Sequence, residues 1–244
     1  MQEDIAGRLI AALDLPSVRQ AEELVKKLDG TVSFFKIGLW LLLGEGIERL
    51  VDGLVNSGRK VFLDCKMYDI GETVKRGVER ARERGVKFVT VHGEREIMRA
   101  AVEGRGNSDY LQILAVTVLT SLDDAALREM GYARTVRELV DLRVRGAVDC
   151  GCDGIIASPL DRPDEIRKRF RSPGLLVATP GIRPAGRGVD DHKRAATPAE
   201  AIMNGADYLI VGRPIIGAPD PARAAEGIIA EMRAAAESRR SNGM

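Results

Sequence analysis

The sequence predicts an α/β chain folded as a single (β/α)8 barrel, the TIM-barrel architecture. Three observations carry the prediction. Short apolar runs alternate with longer amphipathic segments along the whole chain. Eight such pairs fit within 244 residues, the usual size of this fold. The loops suited to phosphate come near the C-terminal end, where barrels of this kind often bind it. A doubly wound sheet is the competing architecture, and it calls for a glycine-rich turn after the first strand. Here that turn is Asp14-Leu15-Pro16, with no glycine.

The strands are expected at Arg8–Leu13, Val32–Ile37, Lys60–Leu63, Phe88–Val91, Leu111–Val118, Gly154–Ala157, Leu175–Ala178 and Tyr208–Val211. They are nearly continuous apolar runs, as in a parallel sheet covered on both faces. Pro16 and Ser17 open the first helix, which runs to Leu28. Further helices are expected over Gly46–Ser57, Glu72–Arg84, Glu94–Glu103, Thr135–Cys150, Pro163–Phe170 and Pro198–Asn204. Pro221–Glu237 closes the series, with proline at the tolerated first position. Gly58, Gly85, Gly151 and Gly205 stand where helices commonly stop. The whole chain, residues 1–244, reads as one domain, with Ser238–Met244 a frayed, disordered tail.

Composition narrows the function. Thirty-seven basic residues against 36 acidic ones leave a net charge of +1, so no global field would hold nucleic acid or an anionic membrane. Aromatic residues make up only 4%, which argues against a base-stacking platform. Three cysteines, two of them in Cys150-Gly-Cys152, make neither a disulfide framework nor a zinc knuckle. Glu3 and Asp4 lie where a secretory signal needs apolar residues, and no apolar run reaches membrane-span length. A cytoplasmic protein is expected.

The densest chemical signal is Val61-Phe-Leu-Asp64-Cys-Lys66-Met-Tyr-Asp69. Alternate residues of a strand share a face, so Asp64 and Lys66 should point the same way, with Cys65 opposite. Asp14 and Lys36 end the first two strands. In a barrel all these strand ends share one rim, and Lys36, Asp64, Lys66 and Asp69 would form an alternating lysine–aspartate array. Opposite charges favour one another's ionised form. Such a fixed field suits a reaction whose charge migrates on the way to the transition state.

Two loops complete the pattern. Thr179-Pro-Gly-Ile-Arg183-Pro opens a long polar segment reaching Arg194, lid-like in its length and glycine content. Gly212-Arg213 follows the last strand, where backbone N–H groups and a guanidinium could cradle a phosphate. Thr120 and Ser121 end the fifth strand and read equally as ring contacts or as a helix cap. His92 and His192 are the only histidines, too few for a triad-and-metal reading, and His92 is expected to pack structurally.

Taken together, the motifs Ala-Leu-Asp14-Leu-Pro, Phe-Lys36-Ile-Gly, Asp64-Cys-Lys66-Met-Tyr-Asp69, Val-Thr-Val-Leu-Thr120, Gly-Ile-Arg183-Pro and Val-Gly212-Arg213-Pro resemble those of the orotidine 5′-monophosphate decarboxylase family, from Ile10 to Ile215. The resemblance implies conversion of orotidine 5′-monophosphate to UMP and carbon dioxide, with no metal or organic cofactor. It implies that Asp64 faces the substrate carboxylate and that Lys66 stabilises and protonates the C6 carbanion. Lys36 would bridge Asp64 and the ribose, Asp14 a ribose hydroxyl, and Thr120 the pyrimidine. Arg183, His192, Gly212 and Arg213 would hold the phosphate. Asp69 and Thr73 would enter the neighbouring subunit's site in a homodimer. The chain departs from the family pattern at Tyr68, at Gly71-Glu72 and at His192, where the family generally carries histidine, proline followed by asparagine or glutamate, and glutamine. Gly71-Glu72 is more like the metal-dependent hexulose-phosphate synthases and keto-gulonate-phosphate decarboxylases on the same scaffold, which form the alternative reading.

Overall fold

A computed structural model describes residues 4–184 and 195–241. Eight parallel strands close into one barrel in sequence order. They are β1 (Leu9–Ala12), β2 (Phe34–Gly38), β3 (Lys60–Met67), β4 (Phe88–His92), β5 (Gln112–Val116), β6 (Gly154–Ile156), β7 (Leu176–Thr179) and β8 (Tyr208–Val211). β1 pairs with β8 through Leu9–Leu209, Ile10–Ile210 and Ala11–Val211, which completes the ring. Every expected strand is present, and the (β/α)8 prediction holds.

Helices cover the outside of the barrel. Val18–Lys27 starts at Ser17, whose side chain accepts from the Gln20 amide at 3.3 Å. Val136–Cys150 starts with a reciprocal capping box between Thr135 and Glu138 and stops at Gly151, in the left-handed conformation. Their buried faces meet the outward side chains of the strands in one large apolar layer.

The barrel interior holds a second, smaller core. Phe34, Phe62 and Phe88 fill it with Tyr208, the Phe34–Phe88 and Phe88–Tyr208 ring centroids lying 5.0 and 5.1 Å apart. These rings plug the barrel below its C-terminal mouth. Because side chains alternate along a strand, the residue two places beyond each plug residue rises above it. That residue is Lys36 after Phe34, Asp64 after Phe62, and Thr90 after Phe88. The period-two pattern thus lifts the polar residues onto a dry aromatic floor.

The structure corrects the expected elements in four places. β3 does not stop at Leu63 but continues to Met67, because its mouth end re-pairs with β4 after a register shift between Leu63 and Met67. Three short helices were not expected: Leu39–Leu42, Asp124–Glu129 and Arg213–Ile216, each under two turns and too brief for a periodic signal. The cap of the second is Asp123, which accepts from the Ala126 amide, rather than Thr120 or Ser121. The final helix passes Glu237 and reaches Ser241, where the sequence suggested fraying. Arg239 explains this, since it donates to the Ile202 carbonyl at 3.0 Å and pairs with Asp164 at 2.5 Å.

Candidate active site

A cavity of about 620 Å3 opens at the C-terminal mouth of the barrel. Asp14, Lys36, Asp64 and Lys66 line one side of it. Lys36 Nζ lies 3.0 Å from Asp14 Oδ1 and 3.4 Å from Asp64 Oδ2. Lys66 Nζ lies 2.8 Å from Asp64 Oδ1. The four residues form a chain of alternating charge, Asp14–Lys36–Asp64–Lys66. Lys36 is buried, and Asp64 nearly so.

Burial would push the Asp64 carboxyl up. The ammonium groups of Lys36 and Lys66, with hydrogen bonds from Lys66 and Thr90, outweigh that and hold it below the usual carboxylate range. The opposite happens one residue on. Burial, then the Asp64 charge, push the Cys65 thiol up to about 11, so it stays protonated and inert at neutral pH.

Simple strand alternation is not what brings Lys66 to Asp64. The backbone at Lys66 is left-handed, with φ of 46°, an uncommon conformation for a residue with a Cβ. It falls inside the register shift, and the Lys66 amide donates to Thr90 Oγ1 at 3.0 Å. Thr90 Oγ1 donates in turn to Asp64 Oδ1 at 2.9 Å. One threonine hydroxyl therefore anchors both the strained backbone and the central carboxylate. Strain of this kind costs on the order of 1–3 kcal/mol and persists where surrounding contacts over-determine it.

Asp69 does not join the array within the chain. It is exposed, its Oδ1 accepts from the Ile70 amide at 2.7 Å, and Thr73 is exposed on the following helix. The far end of the alternating chain is Asp14 instead.

Val116, Val118, Ile156 and Ile210 supply an apolar part of the lining. Thr120 is buried at its edge, Ser121 borders it, and Arg183, Gly212 and Arg213 line its mouth. The Arg183 backbone is held by a bond from its amide to the Ala196 carbonyl, and its Nη1 donates to the Ile182 carbonyl at 2.8 Å. Gly212 caps the short helix that begins at Arg213. His192 lies outside the described residues. Among the described residues no cluster of three or more histidine, cysteine or acidic side chains has metal-binding geometry. Cys65, Cys150 and Cys152 are free thiols.

One residue of the site escapes a motif reading, and a second has a role the motif does not disclose. Thr90 is the first, and its only signal is a lone hydroxyl inside the apolar run of β4. Gly38 is the other. A Cβ there would sit 2.7 Å from Asp14 Oδ1 and 3.0 Å from Lys36 Nζ, so the glycine leaves space for that ion pair.

Comparison with known proteins agrees with this geometry. The family model described as orotidine 5′-phosphate decarboxylase / HUMPS matches residues 7–228. An orotidine 5′-phosphate decarboxylase of Rhodopseudomonas palustris (strain BisA53) is 50% identical over 225 residues, covering 92% of this chain and 94% of the relative. One from Caulobacter vibrioides (strain NA1000 / CB15N) is 49% identical over 227 residues, covering 92% and 97%. The crystal structure of the Lactobacillus acidophilus orotidine 5′-phosphate decarboxylase superposes with a TM-score of 0.80 at 34% identity, over 93% of this chain and 99% of that one. With matches of this extent in sequence and in structure, the chain belongs to the orotidine 5′-phosphate decarboxylase / HUMPS family.

Proposed function

We propose that this protein decarboxylates orotidine 5′-monophosphate to UMP and carbon dioxide, the closing step of UMP synthesis, without a metal or organic cofactor. The observation that carries the reading is the Asp14–Lys36–Asp64–Lys66 chain beneath a mouth lined by Arg183 and Arg213. Relatives at about half identity carry the same activity in their names.

Asp64 has the role of facing the substrate carboxylate, where two like charges raise the ground state. The bond from C6 to the carboxyl carbon breaks, carbon dioxide leaves, and the electron pair stays on C6. Lys66 stabilises that pair as it forms, then passes one proton from Nζ to C6. The neutral amine regains its proton from water. Lys36 links Asp64 to the ribose, Asp14 accepts from a ribose hydroxyl, and Thr120 contacts the pyrimidine. Arg183, His192, Gly212 and Arg213 take the phosphate. Binding free energy from that remote phosphate can offset the desolvation of the carboxylate.

The working unit is a homodimer in the cytoplasm, with Asp69 and Thr73 entering the partner's site. Exposed Leu39, Trp40, Tyr68 and Ile70 follow the adjacent strands β2 and β3 and supply an apolar surface suited to burial against a second copy. No helix among the described residues is long and apolar enough to cross a membrane.

The decisive assay follows the ultraviolet absorbance of orotidine monophosphate in the presence of chelator. Full turnover is expected. No turnover, with ribulose phosphate consumed once magnesium is added, would transfer the protein to the metal-dependent branch. The shared site is tested by mixing two inactive variants, Lys66→Ala and Asp69→Ala. Random exchange restores roughly a quarter of native activity, because half the dimers are mixed and one of their two sites is intact. No recovery in a demonstrably exchanged mixture counts against Asp69 acting across the interface.

A further inference from the structure

Beside the charged array runs a second polar network that the reaction above does not use. His92 Nδ1 and Glu94 Oε2 lie 2.6 Å apart at the end of β4. Glu94 Oε1 accepts from Arg143 Nη2 at 2.7 Å. Arg143 is buried, although it comes from the helix Val136–Cys150 on the outside of the barrel. Its Nη1 donates to the carbonyl of Thr117, the first residue after β5. At the other end the Tyr68 ring lies on His92, with centroids 4.8 Å apart.

The intervening residue shows that this path is built into the local packing. Gly93 separates His92 from Glu94, and a Cβ there would lie 2.6 Å from Arg143 Cδ and 2.6 Å from the Val116 carbonyl. The glycine is the gap through which the arginine passes. Burial would push the Glu94 carboxyl up, but the His92 hydrogen bond and the Arg143 charge hold it below the usual carboxylate range. A buried guanidinium needs such a partner.

Thr117 is where the network meets the site. Its amide and hydroxyl both bond to the Ile156 carbonyl, at 3.2 and 2.8 Å, and its own carbonyl takes the Arg143 bond. The next residues, Val118, Leu119 and Thr120, line the cavity. We infer that Arg143 and Glu94 are positioning residues for the ring-facing wall of the site: they fix Thr117 so that Val118–Thr120 meet a pyrimidine, and His92 and Tyr68 tie that wall to the segment after Lys66. The inference rests on the nucleotide reading above and adds to it a support for base recognition that reaches no substrate atom itself.

Arg143→Met and Glu94→Gln separate this role from general stability. Each variant is compared with the native protein for affinity to UMP and to ribose 5-phosphate, which lacks the ring, and for KM and kcat. Loss of a buried charge-assisted bond should weaken UMP binding and raise KM about tenfold, while kcat changes less and ribose 5-phosphate binding stays unchanged. Amide hydrogen exchange over residues 117–121, without ligand, should speed up in both variants. Equal weakening of both ligands, or exchange and KM both at native values, overturns the inference. If Arg143→Met does not fold, the isosteric Glu94→Gln alone decides. If the native protein binds no UMP, the nucleotide reading fails, and the exchange measurement still decides whether Arg143 and Glu94 hold the wall.

Discussion

The two walls of the cavity are built on opposite physical terms. The wall from β1 to β3 carries four charges within ion-pair distance, one of them on a left-handed backbone. The wall from β5, β6 and β8 offers Val116, Ile156 and Ile210 and no charge at that level. The charged wall is costly to assemble and the apolar one is not. Their juxtaposition favours the first wall, because an apolar face beside the charges offers no polar groups to screen their field. An array of lysines and aspartates facing a polar wall would be an ordinary set of rim salt bridges, worth little.

The comparison breaks most sharply at Lys66. Lys66→Ala removes the group proposed both to face the developing carbanion and to donate the proton. Loss of a preorganised electrostatic partner and of a general acid should together cost at least about 10⁴-fold in kcat. UMP affinity should stay within about tenfold of native, since Arg183, Arg213 and the apolar wall are untouched. Steady-state kinetics with calorimetric binding reads both, and near-native turnover would refute the assignment.

The apolar wall is probed from the other side. Val116 is buried in the barrel interior and lines the cavity. Val116→Thr keeps the shape and adds one hydroxyl to an apolar surface, where it draws in water. A drop of about tenfold in kcat is expected, corresponding to roughly 1.4 kcal/mol of lost transition-state stabilisation. The thermal midpoint is measured alongside, so that a fall in stability is not mistaken for a fall in field strength. An unchanged kcat would mean that the array works without help from the facing wall.

The two walls also differ in how plainly the sequence announces them. The barrel was legible because eight apolar runs at regular spacing leave few other ways to cover a parallel sheet, and the strands fell where expected. Asp14, Lys36, Asp64 and Lys66 were legible because each ends or follows a strand in a barrel, and all such ends share one rim. What escaped depends on tertiary contacts. Nothing in Asp64-Cys-Lys66 discloses a register shift, which exists only because β3 re-pairs with β4 around the Thr90 hydroxyl. The length of β3 and the closing helix were misjudged for the same reason: partners distant in sequence, Thr90 and Asp164, stabilise backbone that local propensity leaves undecided. The same limit covers Asp69, which follows Asp64 closely in the motif yet lies exposed, its Oδ1 accepting from the Ile70 amide.

The smallest effect lies in the acid limb of stability, and it tests whether the charged wall is as tightly coupled as its distances indicate. The Asp64 carboxyl is held below its unfolded value of 3.8 by Lys36 and Lys66 against the cost of burial. A depressed acid contributes stability in full above the unfolded value and loses it as pH falls through the lower folded value. Urea midpoints measured from pH 6 to pH 2.5 should therefore be insensitive to Asp64 near neutrality and fall below pH 4, the native protein more steeply than Asp64→Asn. The asparagine variant has no proton to take up there, so its curve should be the flatter by one group's share. Lys36→Met supplies the control, because without that ammonium the Asp64 carboxyl moves back toward its unfolded value and its share of the fall below pH 4 shrinks. Parallel curves for the native protein and Asp64→Asn would mean that the lysines do not hold this carboxylate charged, and that its low range has no consequence for the fold.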